Sequence, residues 1–518
     1  MTHANAVGGI AHDIIDPILR LRIAASSCFF GEPMYYSPGE KQSNRQSQID
    51  FTYLRRTLGD IMDDSYFEKG LSSTEMMERA IDSALAFDPE KTLLEAVRLR
   101  NEDHIRVTPQ VMLVRAAHHE RTKGTDLVRK YGRSIVSRAD EPAVGLAYHF
   151  FRYGKQAPIP NSLKGVWKNA LEGYSEYEVA KHRLGHNGVK LVDVVNLVHP
   201  KGEVIGKLCR GELSNKDRTW EAIISAEGSN KRSWEKAFNV MGHMALLRNL
   251  RNLLKNGLDK DVVAEKLVKG AAGGRQLPFR YYSAFLELSK SHSGVLDAAL
   301  EEALKLSIGG LPRFPGKLIA LSDNSGSATG TFTSSMGTMC IATIANLTSI
   351  IAARCADEGY IGVFGDHLHV EEVEKERPIF EYLHAICSLG DAQGGNTENG
   401  IWLFWDQAIQ NKEHWDTVFI FSDMQAGHGG LYGYSVPEDY LWHKHASNSD
   451  SYYEYIDVPH LIKKYRAEVN PNVNVFMVQV AGYQNTIIPE FYDRTYILGG
   501  WGDGILKFAH RMVTLRGP

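Results

Sequence analysis

The hydrophobic pattern of the sequence changes once, near residue 315, and this change constrains the fold more than any other feature. Before it, apolar residues recur at i, i+3, i+4 and i+7 in segment after segment, for example in STEMMERAIDSALAF at 73–87. This spacing is typical of amphipathic helices. After it, short apolar runs such as KLIALS at 317–322 alternate with helical segments. We therefore expect two domains, with boundaries at 1–314 and 315–518.

Each half predicts a different fold class, so the chain is multidomain. Amphipathic helices spread over 300 residues are too many for one bundle, and a helical-repeat solenoid buries such helices pairwise. Apolar strands that alternate with helices indicate an α/β domain with a parallel, doubly wound sheet. Such sheets bind ligands at the carboxyl ends of their strands. The SDNSGS and SDMQAG segments lie at two of these ends.

The charge is distributed unevenly between the two halves. Residues 1–314 carry 45 Lys and Arg against 38 Asp and Glu, whereas residues 315–518 carry 13 against 24. Within 150–260 the counts are 19 basic and 11 acidic. The five cysteines contain no CxxC pair, so a disulfide framework or a zinc ribbon is not supported. We expect a cytoplasmic protein, because no secretory signal and no membrane-spanning run is present.

The end of the first strand carries a pattern of oxygen ligands. Asp323, Ser325 and Ser327 alternate after KLIALS, and two more segments at strand or helix ends supply Thr397 and Asp423. Carboxylate and hydroxyl oxygens suit Mg²⁺ better than zinc or copper. A phosphotransferase of the haloacid dehalogenase type also begins with such an Asp. It needs a second acid two residues later, where this chain has Ser325, and that enzyme class is therefore disfavoured.

These five residues resemble the metal-ion-dependent adhesion site of von Willebrand factor A domains. That site combines Asp-x-Ser-x-Ser after the first strand, a Thr in a Gly-Gly-x-Thr loop and an Asp after a later strand. The resemblance implies a Rossmann-like A domain at 315–518. It also implies Mg²⁺, or another divalent cation, held by Asp323, Ser325, Ser327, Thr397 and Asp423.

The helical half resembles the TROVE module of the Ro autoantigen family, in its bacterial or phage form. The segments that carry the resemblance are MALLRNLRNLLKNG (244–257), LVDVVNLVHPK (191–201), LPFRYYSAF (277–285) and FFGEPMYYSPGEK (29–41). Ro proteins join a ring of HEAT-like repeats to a C-terminal A domain. The resemblance implies a non-catalytic, monomeric ribonucleoprotein. It would bind small Y or Y-like RNA and the single-stranded ends of misfolded RNA, with an exoribonuclease as partner in RNA quality control.

The candidate RNA-binding residues are basic side chains in and beyond the 150–260 block. Lys164 and Lys168 are four residues apart on one predicted helix and flank its apolar stripe, as a phosphate-binding track requires. The full set is Lys164, Lys168, Lys181, His182, Arg183, Lys190, His199, Lys201, Arg248, Arg251 and Arg280. The family has a histidine near Leu191 that helps to hold Y RNA, and this chain departs from the family there.

Two alternatives remain open from the sequence. Arg248 and Arg251 either contact single-stranded RNA in the hole of the ring or pair with carboxylates of neighbouring repeats. Arg280 either stacks on bases beside Tyr281 and Tyr282, or this tyrosine pair packs inside the helices. For the whole chain, the alternative to RNA binding is a metal-dependent protein-interaction module.

Overall fold

The computed structural model describes most of both halves of the chain. The described ranges are 2–4, 10–12, 16–27, 73–183, 188–214, 219–274, 276–289, 294–329, 340–395, 399–422, 437–445, 452–456, 458–480, 494–499 and 503–516. Within these ranges, no helix combines the length and the apolar character that crossing a membrane requires.

The first part of the chain is a succession of helices. The helices of the repeat region are Pro17–Ser27 (α1), Ser73–Phe87 (α2), Pro89–Asn101 (α3), Val107–His118 (α4), Leu127–Ile135 (α5), Glu141–Tyr153 (α6), Asn161–Gly173 (α7), Glu176–His182 (α8), Leu191–Val198 (α9), Glu203–Arg210 (α10), Trp220–Glu227 (α11), Lys231–Val240 (α12), His243–Lys255 (α13), Lys260–Ala271 (α14), Pro278–Ser289 (α15) and Gly294–Ile308 (α16). Two short antiparallel strands, Thr2–Ala4 (β1) and Ile10–His12 (β2), precede them. Helix α3 packs on α5 and α5 packs on α7, while α4 packs on α6 and α6 packs on α9. This is a two-layer solenoid of helix pairs.

The second part is built around a six-stranded sheet. Its strands are Phe314–Asp323 (β3), Ala356–Phe364 (β4), Leu368–Glu372 (β5), Thr417–Ser422 (β6), Asn474–Gln479 (β9) and Thr495–Gly499 (β10), and a separate hairpin consists of Leu441–His445 (β7) and Tyr452–Ile456 (β8). The helices are Gly326–Thr329 (α17), Ile341–Arg354 (α18), Ile379–Asp391 (α19), Gly400–Gln410 (α20), Val458–Glu468 (α21) and Asp503–Arg516 (α22).

The sheet is mixed, and this differs from the parallel sheet expected from the sequence. Its order is β10-β9-β6-β3-β4-β5, and all neighbours pair in parallel except β4 and β5. Strand β5 is short and half-exposed, so it lacks the apolar run that marks the central strands. The fully buried centre of β3 and β6 explains why their sequences are continuously apolar.

The packing of α6 on α7 depends on one tryptophan. Trp167 is fully buried, and a Cβ at Gly145 of α6 would lie 2.9 Å from its indole ring. A glycine is therefore needed at 145 for the two helices to approach this closely.

Truncating this side chain is expected to destabilise the helical half. Trp167→Ala should lower the free energy of unfolding by about 3–5 kcal/mol, because a large buried side chain leaves a cavity. The measurement is denaturant unfolding followed by circular dichroism. Lys168→Ala, on the adjacent, partly exposed position, is the control and should change stability by less than about 0.5 kcal/mol. An equal decrease in the free energy of unfolding for the two variants would contradict this role of Trp167.

Candidate functional site

A cluster of four basic side chains lies on two adjacent helices. Arg129 and Arg133 are four residues apart on α5, and Lys164 and Lys168 are four residues apart on α7. A Cβ at Gly132 would lie 2.5 Å from Val166 Cγ2, so the two helices approach too closely for any side chain there. At Gly165 a Cβ would lie 3.6 Å from Arg129 Nε. Gly132 therefore lets α5 pack closely on α7, and the Arg129 side chain lies near Gly165, the residue after Lys164. We call Arg129, Arg133, Lys164 and Lys168 the basic surface.

The charges of the basic surface are not neutralised within the protein. Among the described residues, none of the four forms an ion pair or a side-chain hydrogen bond. The two arginines are exposed and the two lysines are partly exposed. Lys130, on the same helix, is different because its Nζ lies 2.7 Å from Glu90 Oε1. Unpaired cations that share one surface attract polyanions.

Sequence reasoning selected only half of this cluster. It identified Lys164 and Lys168 from the apolar stripe between them, and Leu163, Trp167 and Leu171 of that stripe are indeed buried. Arg129 and Arg133 show the same four-residue spacing in DLVRKYGRSI, with Gly132 between them. That spacing was the available signal, but only the tertiary packing of α5 on α7 places the two pairs together.

The next group of predicted residues lies at and beyond the end of α8. Lys181 is exposed, with its Nζ 5.6 Å from the centre of the Tyr177 ring, and Arg183 is exposed. His182 is half-buried, and burial lowers the pKa of its imidazole. Its Nδ1 lies 3.9 Å from Asp140 Oδ2.

The residues around α9 are divided between exposed and buried positions. Lys190, His199 and Lys201 are exposed, and His199 ends α9 in the left-handed conformation with φ of 48°. The backbone N–H of Lys201 donates to Glu172 Oε1 at 2.8 Å. Leu191 is fully buried. A fully buried leucine side chain is not exposed to a ligand at the surface of α9.

Helix α13 presents one exposed stripe. Met244, Arg248, Arg251 and Lys255 are exposed, and these positions recur along one face of the helix. Arg251 pairs with Glu287 of α15, whereas Arg248 has no partner among the described residues. Of the two alternatives, pairing with a carboxylate of a neighbouring helix therefore applies to Arg251. The Arg248 side chain is free to bind a ligand.

The tyrosine pair near Arg280 has a packing role. Tyr281 is fully buried with its hydroxyl 2.8 Å from His243 Nε2, and Tyr282 is buried against Phe380. Neither ring is available to stack on a base. Arg280 itself is partly exposed and lies over the Phe279 ring at 5.6 Å.

Asp323 and Ser325, the first two candidate metal ligands, are buried at the end of β3. Asp323 is fully buried and Ser325 is 2% exposed. The Ser325 N–H donates to Asp323 Oδ1 at 2.9 Å, and the Ser422 hydroxyl donates to Asp323 Oδ2 at 2.7 Å. Ser422 ends β6, the neighbour of β3. The carboxyl ends of these two strands therefore meet at Asp323, as expected for a parallel pair.

The other predicted ligands adjoin this point in the chain. Thr397, Asp423 and the side chain of Ser327 lie outside the described residues. The Gly326 N–H donates to Gly395 O at 2.8 Å, two residues before Thr397, and Asp423 directly follows Ser422. The described oxygen donors are hard ligands and fit a divalent cation of the Mg²⁺ type.

The turn after β4 contacts the residues on either side of the 396–398 segment, a feature that sequence reasoning missed. The His367 N–H donates to Gln393 O at 3.0 Å, and the Gly400 N–H donates to Gly365 O at 3.2 Å. A Cβ at Gly365 would lie 1.9 Å from Gly394 O. Only glycine at 365 allows this approach, and Gly394 itself has a φ of 83°, which favours glycine.

Two segments, AHHE at 117–120 and DHLH at 366–369, contain histidines that resemble metal ligands in the sequence. They do not form metal sites within the described part of the chain. His118 Nε2 lies 3.1 Å from His149 Nδ1, and His118 stacks on the Tyr153 ring. His369 Nε2 lies 3.0 Å from Glu371 Oε2 within β5. Over the residues that the structure describes, no group of three or more His, Cys, Asp or Glu side chains is arranged to hold a metal ion.

Comparison with known proteins supports the resemblance drawn from the sequence. Residues 207–313 match the model of the TROVE domain family. The fold is similar to the crystal structure of the Ro (RSR) protein of Deinococcus radiodurans, with a TM-score of 0.58 and 15% sequence identity. The match covers 84% of this chain and 93% of that chain. A search of curated protein sequences found no match. The predicted resemblance to the Ro family is confirmed by the first two findings.

Proposed function

We propose that this chain, which carries a TROVE-domain match and has the fold of a Ro protein, binds RNA and does not catalyse a reaction on it. The observation that carries the proposal is the basic surface. Its four cations lie on two tightly packed helices and have no acidic partner among the described residues. Phosphate groups are the ligands that neutralise such a surface, and sequence-independent contacts to them dominate RNA affinity.

The two halves of the helical region support two modes of binding. The basic surface lacks an exposed aromatic side chain and suits the phosphates of a structured RNA of the Y or Y-like type. The α13 stripe, with Arg248 beside Met244, suits single-stranded ends of misfolded RNA. An exoribonuclease would be the partner that processes these ends in RNA quality control.

The A domain is proposed to hold Mg²⁺ at the carboxyl end of β3. Asp323, Ser325, Ser327, Thr397 and Asp423 would be the ligands. The buried position of Asp323, beside Ser325 and next to the end of β6, supports this site. The cation would act as a Lewis acid and bind an acidic group of a partner.

The RNA proposal is tested by binding across a salt series. With about four phosphate contacts, affinity for a structured RNA should fall about a hundredfold between about 50 and 200 mM salt. The control is a globular protein of similar net charge, which should bind weakly at every salt concentration. If this protein binds no more tightly than the control at low salt, it is not an RNA-binding protein.

A metal-dependent protein-interaction module is the second candidate, and one observation favours it. Leu191 is buried where the Ro family has an RNA-binding histidine, and the A domain is strongly acidic. In this case Mg²⁺-dependent capture of a protein partner would persist while RNA affinity stays at the level of the control.

A further inference from the structure

Helix α18 packs on β3 and β4 with a largely apolar face, and an asparagine lies within that face. Asn346 is fully buried on the same helix as Ile344, Leu347 and Ile350. Asparagine is a weak helix former, and a buried amide costs free energy unless its polar atoms are hydrogen-bonded. Its position in the core therefore depends on the partners that the surrounding residues supply.

The amide of Asn346 has a partner at each of its hydrogen-bonding positions. Its Nδ2 donates to Asn324 Oδ1 at 2.9 Å and to Cys387 Sγ at 3.4 Å. Its Oδ1 accepts the Ser322 hydroxyl at 2.5 Å and Asn324 Nδ2 at 3.1 Å. An amide has two donor hydrogens and an oxygen that accepts two bonds. The Asn324 and Asn346 amides therefore form a reciprocal pair, and each side chain fixes the orientation of the other.

Asn324 lies between the first two candidate metal ligands, Asp323 and Ser325. Its N–H donates to Phe364 O at the end of β4 at 2.7 Å, and its Nδ2 donates to Ser322 O at 3.0 Å. Asn324 is 3% exposed. The turn that carries the two ligands is thus held from one side by the backbone of β4 and from another by the Asn346 side chain of α18.

Helix α19 packs directly against the Asn324 side chain. A Cβ at Gly390 would lie 2.2 Å from Asn324 Oδ1 and 2.4 Å from its Cγ. Because Asn324 is buried and both polar atoms of its amide are hydrogen-bonded, an alanine at 390 would displace it. The glycine leaves the space in which the reciprocal amide pair forms.

We propose that Asn346 is a positioning residue of the candidate metal site, which sets the turn of Asp323 and Ser325 through Asn324 without binding the cation itself. This inference rests on the proposed Mg²⁺ site. Groups that are hydrogen-bonded behind metal ligands orient those ligands and raise metal affinity. Since the hydrogen-bonding positions of Asn346 are occupied by protein groups, its amide acts on the cation only through the turn.

Mg²⁺ affinity separates this role from a purely structural one. Asn346→Ala removes the partner of Asn324 and should lower Mg²⁺ affinity, measured by isothermal titration, at least about tenfold. The matched control is Leu347→Ala, which truncates a buried apolar side chain of the same helix. This control should lower the melting temperature at least as much and leave Mg²⁺ affinity unchanged. Equal losses of affinity in the two variants would overturn the proposal.

A double-mutant cycle tests whether Asn346 acts through Asn324. Asn324→Ala should lower Mg²⁺ affinity by a factor similar to that of Asn346→Ala, and the combined variant should lose little more than either single variant. Gly390→Ala should also lower the affinity, because it displaces Asn324 although it removes no polar atom. Losses that multiply in the combined variant, or an affinity that Gly390→Ala leaves unchanged, would contradict the proposed contact.

Hydrogen exchange without metal distinguishes failure of this inference from failure of the proposed metal site. If the unmodified protein binds neither Mg²⁺ nor Mn²⁺, the metal site is wrong, and the role of Asn346 is judged from the turn alone. The N–H groups of Asn324 and Ser325 donate to Phe364 O and Asp323 Oδ1. Their exchange, followed by mass spectrometry, should be faster in Asn346→Ala than in Leu347→Ala. Equal exchange in the two variants would show that Asn346 does not position the turn.

Discussion

Replacing Arg129, Arg133, Lys164 and Lys168 together by glutamate is expected to lower affinity for a structured RNA at least about a hundredfold at low salt. Each substitution removes a cation that can neutralise one phosphate and introduces a charge that repels it. The dependence of log affinity on log salt should also become shallower, by about one unit for each phosphate that the variant no longer neutralises. Titration of a fluorescent stem-loop RNA at several salt concentrations measures both quantities.

The control for this variant carries the same change in net charge at other positions. Lys123, Lys305, Arg313 and Lys412 are exposed and do not belong to α5 or α7. Their replacement by glutamate should change affinity only through the general field of the protein, by less than about tenfold at low salt. The glutamate variant of the basic surface should lose less affinity for single-stranded RNA than for the stem-loop. Equal losses for the two variants would mean that overall charge, rather than this surface, governs binding.

The basic surface shows which structural features hydrophobic periodicity predicts and which it does not. The apolar spacing of α7 indicates which of its faces is buried, and therefore where Lys164 and Lys168 lie. It contains no information on which helix packs beside α7. That neighbour depends on Gly132, whose lack of a side chain allows α5 to approach Val166 of α7. Glycines inside an otherwise helical pattern were the signal of close helix contact.

The sheet was predictable where its strands are buried on both faces and not where they lie at an edge. Strands β3 and β6 are continuous apolar runs, and their positions follow directly from the sequence. Strand β5 contains LHVEE, in which polar and apolar residues mix because one side of the edge is exposed. Because β4 turns back into the antiparallel strand β5, the DHLH segment at 366–369 ends in an edge strand and does not form a set of metal ligands.

The separation of the buried apolar residues into different cores was not predictable from the change of pattern near residue 315. That change separates helix from sheet, but the apolar core continues across it through Phe314 and Tyr282. The core is interrupted instead near residue 214, inside the uniform run of helices. Secondary-structure periodicity identifies the buried face of each helix, whereas the extent of a core depends on which faces meet in three dimensions.

The second large effect is expected at the carboxyl end of β3. Asp323→Asn should reduce Mg²⁺ affinity at least about a hundredfold, since loss of an outer-shell partner alone typically costs 10–100-fold and this residue would bind the cation directly. Asparagine keeps the size of the side chain and one oxygen to accept the Ser325 N–H, so the loop is expected to keep its conformation. Isothermal titration with Mg²⁺, repeated with Mn²⁺, measures the loss.

Asp416→Asn is the matched control, because it removes one carboxylate from the same sheet at its opposite end. Asp416 Oδ2 accepts the Lys317 N–H at 2.7 Å, next to the start of β6, and has no part in the proposed metal site. Its substitution should leave Mg²⁺ affinity unchanged and alter thermal stability at most modestly. Metal affinity that is equal in Asp323→Asn, Asp416→Asn and the unmodified protein would show that the oxygen cluster only ties three loops together. A selective loss in Asp323→Asn would assign the buried carboxylate to the cation, because each variant removes one carboxylate charge from the same sheet.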